Sequence, residues 1–355
     1  MGKNVLRLLK NYVVFPIVNC YNEKNKELNM SRVNKNILQT VLFIAIFGGL
    51  LTVASFFDLE ISKLLATEYL EAGTFYSTNP VGLVVEYIGS FPIFALGIFA
   101  CLVFMHHIYN LKDNKKYFSI IFVLLIYGLL YYFLSESFKY FVRNNFAPEL
   151  EDTYRDAPIA IGILASLTLL IGTGLIFFYK NVDIKKNEKL LNFAFVIVIA
   201  ALGYFVNEMI KGPMGRMRFR GMAYINYDFQ YFTNWFEASY AKTIPELANV
   251  AEIYPDAFKS FPSGHTYAAG VSYSLICLPY VCEEFNNVKG KIISYAIPIL
   301  YTGFVAFYRI RVGAHFMSDV LVGGPLAYVL SEVGKYFFFV RPSYENIEEK
   351  EEIAQ

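Results

Sequence analysis

Three short stretches of this chain gather residues that can bind an anion and move a proton. The first, NEMIKGPMGRMRFRGM, packs Lys211, Arg216, Arg218 and Arg220 into ten residues where an apolar run ends. Four bases there can anchor a helix end at a membrane surface, or clamp an anion through charge-assisted hydrogen bonds. The second, SFPSGHT, puts Ser263 and Gly264 at a helix start, where backbone N–H groups and the helix dipole favour negative charge. His265 follows, able to give or take a proton at the same ligand. A plain capped helix with an interfacial histidine would carry the same letters. The third, YRIRVGAHFMSDV, places His315 and Asp319 four apart, on one face of a helix. The carboxylate can then take one ring N–H, fix the tautomer and leave the other nitrogen free to attack. Arg309, six residues earlier, can reach a phosphate; the bland alternative is an interfacial His–Asp pair.

The elements that must position these residues are membrane helices. The chain has 355 residues, 56% of them hydrophobic, 18% aromatic and only 17% charged, whereas a soluble domain has about a quarter of its residues charged. Eight stretches reach the ~20 apolar residues a span needs: roughly 37–57, 91–109, 118–136, 158–178, 190–210, 264–282, 292–308 and 315–337. Pro262 suits the first turn of the sixth. The fold class expected is therefore an all-α integral membrane protein of about eight transmembrane helices. Residues 1–35 hold seven bases against Glu23 and Glu27, and the loops after the second and fourth spans are also basic. The loop after the first span carries Asp58, Glu60, Glu68, Glu71 and Glu86 against Lys63 alone. By the positive-inside rule both termini are cytoplasmic, and loops 58–90, 137–157, 211–263 and 309–314 face outward. All three chemical stretches then fall on one membrane face, where four clustered bases call for a reason other than topology.

Net charge is +1, which offers no electrostatic case for a nucleic-acid partner. Cys20, Cys101, Cys277 and Cys282 have no CxxC spacing, so neither a disulfide framework nor a zinc site is expected. The amino terminus lacks the apolar core and small-residue cleavage site of a signal peptide. Residues 1–36 are either an amphipathic helix on the cytoplasmic surface or a loosely ordered basic leader. Leu6 stands where a myristoylation signal wants Ser or Thr.

Taken together, Lys211-x6-Arg218, then Pro262-Ser263-Gly264-His265, then Arg309-x5-His315-x3-Asp319, resemble the signature of the type 2 phosphatidic acid phosphatase family of membrane phosphatases. That resemblance implies a six-helix phosphatase core at 118–337, with two added helices at 37–117 before it; residues 338–355 read from their charge as an acidic cytoplasmic tail. It implies that Lys211, Arg218 and Arg309 hold the phosphate oxygens with help from Ser263 and the Gly264 backbone N–H. His315 would be the nucleophile that takes the phosphoryl group, Asp319 would orient it, and His265 would protonate the departing oxygen and later activate water. Phosphoryl transfer needs in-line attack and charge compensation at the equatorial oxygens, which three bases and a helix start can supply without a metal or other cofactor. The chain departs from the family pattern at Phe219, where the family has proline, and at Tyr308, where it has serine. No charged or histidine position of the pattern is missing.

The resemblance implies a phosphorylated substrate, with phosphatidic acid, phosphatidylglycerol phosphate, polyprenyl pyrophosphate and some soluble sugar phosphates in its range; a site opening at the bilayer surface favours a lipid. The expected setting is the plasma membrane, with the site on the extracytoplasmic face. The aromatic stretch 221–259, with the only tryptophan, Trp235, is either a rim over the site or an aromatic belt at the interface. Asn207 and Glu208 either adjust Lys211 or merely end a helix. Glu332, His106 and His107 fall toward the cytoplasmic side and receive no catalytic role. The rival readings are an anion transporter, which calls for paired interrupted helices and charges near the midplane, and a catalytically silent membrane protein.

Overall fold

The computed structural model of the chain describes residues 23–110, 117–145, 151–181 and 188–341. The leader before residue 23, the basic loops at 111–116 and 182–187 and the acidic tail from 342 onward lie outside the described residues. Two compact units divide the chain, Met1–Thr52 and Val53–Gln355. The helix α1 (Glu23–Ala66) begins in the first unit and ends in the second. The rest of the second unit consists of α2 (Pro80–Ile88), α3 (Phe91–Tyr109), α4 (Ser119–Asn145), α5 (Glu151–Arg155), α6 (Pro158–Asn181), α7 (Glu188–Met214), α8 (Phe219–Tyr224), α9 (Ala248–Ile253), α10 (Gly264–Gly270), α11 (Leu278–Val281), α12 (Val288–Arg311) and α13 (Met317–Lys335), with 3₁₀ turns between. No strand occurs among the described residues. The protein is an all-α membrane protein.

Among the described residues, six helical stretches are long and apolar enough to cross a membrane: Val41–Tyr69, Pro80–Tyr109, Ser119–Arg143, Pro158–Tyr179, Lys189–Tyr224 and Val288–Arg311. Their outer surfaces carry Phe56, Leu170, Phe177 and Met209 exposed, which suits contact with lipid tails rather than water. Two of the eight expected spans are not among the six. Residues 264–282 form a broken run: α10, a 3₁₀ stretch at Val271–Cys277, then α11. The break has a local cause. Ser272 and Ser274 bond back to the carbonyls of Ala269 at 2.6 Å and Val271 at 2.9 Å, three residues earlier, which favours the tighter turn. The eighth expected span is a helix that begins at Met317 rather than 315 and runs into a π-helical turn at Tyr336–Val340.

The first span corrects an expected boundary. Its helix does not stop at residue 57 but continues to Ala66, so Asp58 lies inside a helix and not in an outward loop. Glu86 likewise belongs to α2, which Asn79 caps by accepting the Gly82 N–H at 2.7 Å and Pro80 opens.

The broken run is the centre of the bundle. It packs against α13, α12, α7 and α3, while α4 lies outside α3 and α6 outside α4. Ile98, Leu102, Phe193, Val196, Ile197, Ile276 and Cys277 form one buried cluster across these elements. Between membrane helices such a cluster is held by close packing more than by water exclusion. Small residues bring α13 against the start of α10: a methyl group on Gly323 would stand 2.5 Å from the Ser263 carbonyl oxygen. A second cluster, with Ala66, Leu70, Phe75, Met217, Phe219, Met222, Phe258 and Phe316, builds a cap from segment 219–258. Trp235 pins this cap by donating from Nε1 to Ser55 Oγ at 2.9 Å. Phe219 is fully buried there, contributing about 2–3 kcal/mol by burial, so the residue standing in place of proline serves the cap's core.

Candidate active site

Backbone hydrogen bonds lock the three stretches to one another. Arg218 N–H donates to the Ala257 carbonyl at 2.7 Å and Ser260 N–H to the Arg216 carbonyl at 3.0 Å, tying the first stretch to the approach of the second. Ser263 N–H donates to the Asp319 carbonyl at 3.0 Å, tying the second to the third. Arg220 N–H donates to the Gly313 carbonyl at 2.9 Å, closing the ring. Amides satisfied this way fix relative positions without spending a side chain.

His315 sits in the connector between α12 and α13, 1% exposed. Its amide donates to the Arg309 carbonyl at 3.2 Å, so the end of α12 sets where the ring starts. Its Nδ1 lies 2.6 Å from the Ser260 carbonyl oxygen. A carbonyl only accepts, so Nδ1 carries the proton and Nε2 keeps its lone pair. Burial pushes the His315 pKa well below its ordinary value, and the nearby cations Arg218, Arg309 and Lys211 push the same way against the Ser260 bond. The imidazole is therefore neutral at neutral pH.

The carboxylate does not take the ring proton in the way the i, i+4 spacing suggests. Asp319 Oδ2 is 3.7 Å from His315 Nδ1, beyond hydrogen-bond range. It accepts instead from the Ser260 hydroxyl at 2.5 Å and the Phe316 N–H at 2.8 Å. Asp319 thus acts on the ring through Ser260, whose hydroxyl it binds and whose carbonyl holds the histidine. Its other oxygen takes Arg216 Nη1 at 2.6 Å. Arg216, 1% exposed, also pairs with Asp58 at 2.9 Å and donates to Ser318 Oγ at 2.8 Å and the Thr233 carbonyl at 2.8 Å. Asp58 in turn accepts the Ser318 amide at 2.9 Å. Arg216 is consumed by this internal network.

Lys211, Arg218 and Arg309 are all buried. Lys211 pairs with Glu208 at 2.6 Å, which assigns Glu208 the task of steadying the lysine. A methyl group at residue 264 would stand 2.8 Å from Lys211 Nζ, so glycine is what lets the lysine approach the start of α10. Arg218 donates from Nη2 to the Lys259 carbonyl at 3.3 Å. Asp256 lies near its guanidinium: burial raises the Asp256 pKa, but Arg218 and Lys259 outweigh it and hold the carboxyl well below the usual range. Arg309 donates from Nη1 to Glu86 Oε1 at 2.9 Å. The Nε–H groups of Arg218, Arg220 and Arg309 are buried without a hydrogen-bond partner. Buried donors left unpaired are unfavourable by about 1–3 kcal/mol each, which an anion would relieve.

Ser263 caps α10. Its hydroxyl lies 2.9 Å from Thr266 Oγ1 and accepts the Thr266 N–H at 3.4 Å, so the side chain expected to help hold phosphate is engaged in the helix start. His265 Nε2 is 3.3 Å from the Glu86 carbonyl oxygen, and its ring meets Tyr140 edge-on at 5.7 Å. Tyr308 packs its ring on Phe304 and Phe307. His106 meets Tyr179 edge-on, and Glu332 is paired with Lys335; the structure brings neither to the site.

Sequence reasoning missed Asp58, Glu86, Arg143 and Ser260. The first two had a signal: an acid inside or at the end of an apolar run is a functional-site candidate. Reading them as loop acids hid it. Residues 192–343 match the sequence model of the PAP2 superfamily. All three stretches lie within it, whereas Asp58, Glu86, Arg143 and Tyr140 come from the helices before it. No curated protein and no solved structure matches the chain significantly.

Proposed function

We propose that this chain, a helical membrane protein with a PAP2 superfamily domain, hydrolyses a phosphomonoester or pyrophosphate of a lipid through a phosphohistidine at His315. The observation that carries this reading is the bond from His315 Nδ1–H to the Ser260 carbonyl at 2.6 Å, beside buried arginines with unpaired donors. It leaves Nε2 as a neutral nucleophile in a positively charged setting.

In the proposed reaction Nε2 attacks phosphorus while Lys211, Arg218 and Arg309 compensate the equatorial oxygens, the Gly264 amide assisting. The bond from phosphorus to the leaving oxygen breaks, and His265 gives that oxygen a proton. With Nε2–H facing the Glu86 carbonyl, Nδ1 holds a proton to pass only when the ring is an imidazolium, the form that a bound phosphate dianion would favour. Water then attacks the phosphohistidine, its proton returns to His265, and phosphate leaves as His315 recovers its lone pair. Charge compensation in this scheme rests on protein cations and involves no metal ion. The charge bias of the loops supports a site on the extracytoplasmic face of the plasma membrane with both termini cytoplasmic. The interrupted run at 264–281 is the one feature that favours an anion carrier. Its break carries only apolar and hydroxyl side chains, however, and every clustered cation lies outside it.

The test is phosphate release from phosphatidic acid, phosphatidylglycerol phosphate and polyprenyl pyrophosphate in detergent with chelator present, beside soluble sugar phosphates. His315→Ala should fold and release nothing, and acid-labile phosphate should be trapped on the wild-type chain. Undiminished release by His315→Ala refutes the mechanism, and loss of activity in chelator refutes metal independence.

A further inference from the structure

Glu86 is 2% exposed and stands in α2, outside the superfamily segment. Three guanidinium groups converge on its carboxylate. Arg309 Nη1 donates to Oε1 at 2.9 Å, Arg220 Nη1 reaches the same oxygen at 3.4 Å, and Arg143 binds Oε2. The backbone carbonyl of the same residue faces His265 Nε2 at 3.3 Å. One residue of a preceding helix therefore touches both a proposed phosphate ligand and the proposed proton donor.

A guanidinium is a flat fork of five donors on a long, flexible stem, so its value as a ligand depends on which edge faces the anion. Glu86 takes the Nη1 end of both Arg309 and Arg220, while their Nε–H groups remain buried and unpaired. Three arginines packed together without a carboxylate would repel one another; one carboxylate among three lessens that repulsion and leaves a positive surplus for the ligand.

We infer that Glu86 is a positioning residue of the phosphate site: it holds Arg309 by Nη1 so that the Nε edge is presented to the substrate phosphate. The inference rests on the phosphate-site reading above, and it makes α2 part of the binding machinery. Glu86→Asp keeps the charge but withdraws it by one methylene, about 1.5 Å, and so drags or releases Arg309.

The probe is inorganic phosphate, titrated calorimetrically into the purified full-length chain in detergent, with thermal unfolding as the check on folding. Glu86→Asp should remain folded and bind phosphate about ten-fold more weakly, the scale of one misaligned charge-assisted hydrogen bond. In an Arg309→Met background the same change should alter affinity by less than about two-fold, because the residue it acts through is gone. Should Glu86→Asp not fold, Glu86→Gln, which keeps the shape and removes the charge, is read by the same two comparisons. Wild-type affinity in a folded Glu86 variant, or equal losses in both backgrounds, overturns the inference. If the wild type still hydrolyses lipid phosphates, the phosphatase reading survives that result; a wild type that neither binds phosphate nor hydrolyses any ester overturns both.

Discussion

Gly264→Ala should separate stability from activity. The glycine opens α10, where alanine suits a helix at least as well, so the backbone loses nothing by the change. The added methyl would stand 2.8 Å from Lys211 Nζ, 2.5 Å from Glu208 Oε1 and 3.4 Å from the Tyr204 hydroxyl. Recovering a normal separation of about 3.5 Å moves the ammonium by roughly 0.7 Å and the carboxylate by roughly 1 Å. Both are ends of flexible side chains, so the fold can accommodate the shift. A phosphate ligand displaced by that much should reduce kcat/KM by about 10- to 100-fold, or ~1.4–2.7 kcal/mol of transition-state stabilisation. The assay is phosphate release against substrate concentration, with unfolding temperature measured on the same preparations. Placing Gly264→Ala in a Lys211→Met background isolates the cause, since the methyl then has no ammonium to displace and its further cost should be small. Full activity in the single variant, or an undiminished loss in the double, would refute the assignment of Lys211 to the phosphate and the glycine's part in it.

Two further outcomes follow from the buried network. Asp58→Asn leaves Arg216 with Asp319 alone as a charged partner and should destabilise the fold by about 3 kcal/mol, while lowering kcat more than it changes KM; an unchanged unfolding temperature would contradict the ion pairs. The second concerns pH. The His315 pKa is depressed in the native state from the 6.5 of the unfolded chain, so the stability this group contributes is present above that value and lost as pH falls through it. The unfolding temperature should therefore drop further between about pH 8 and about pH 5.5 in the wild type than in His315→Gln, whereas parallel curves would show that the imidazole is not held neutral.

Much of this protein was legible without coordinates. Apolar runs of span length reveal a helical membrane protein because a bilayer admits few other solutions, and length plus composition carry that constraint. The three stretches of the candidate site were legible for a related reason. Each places its residues within a dozen positions, and Arg309 and His315 keep their spacing because one helix end and one turn hold both. What tertiary structure decided is what each charge is paired with. Arg216 and Arg218 are two residues apart, yet one is taken by Asp58, 158 positions away, and the other keeps a buried donor unpaired. Glu86 meets Arg309 across 223 positions. Asp319 has the spacing to bind His315 directly but is drawn to Ser260, 59 residues earlier in the chain, because that hydroxyl lies closer. The broken run at 264–281 reads as a plain span until its serines are seen to bond back into their own turns. Periodicity and composition are properties of neighbours along the chain and can be read there. A buried charge is settled by whichever opposite charge the fold brings within hydrogen-bond range, and that is known only once the helices are packed.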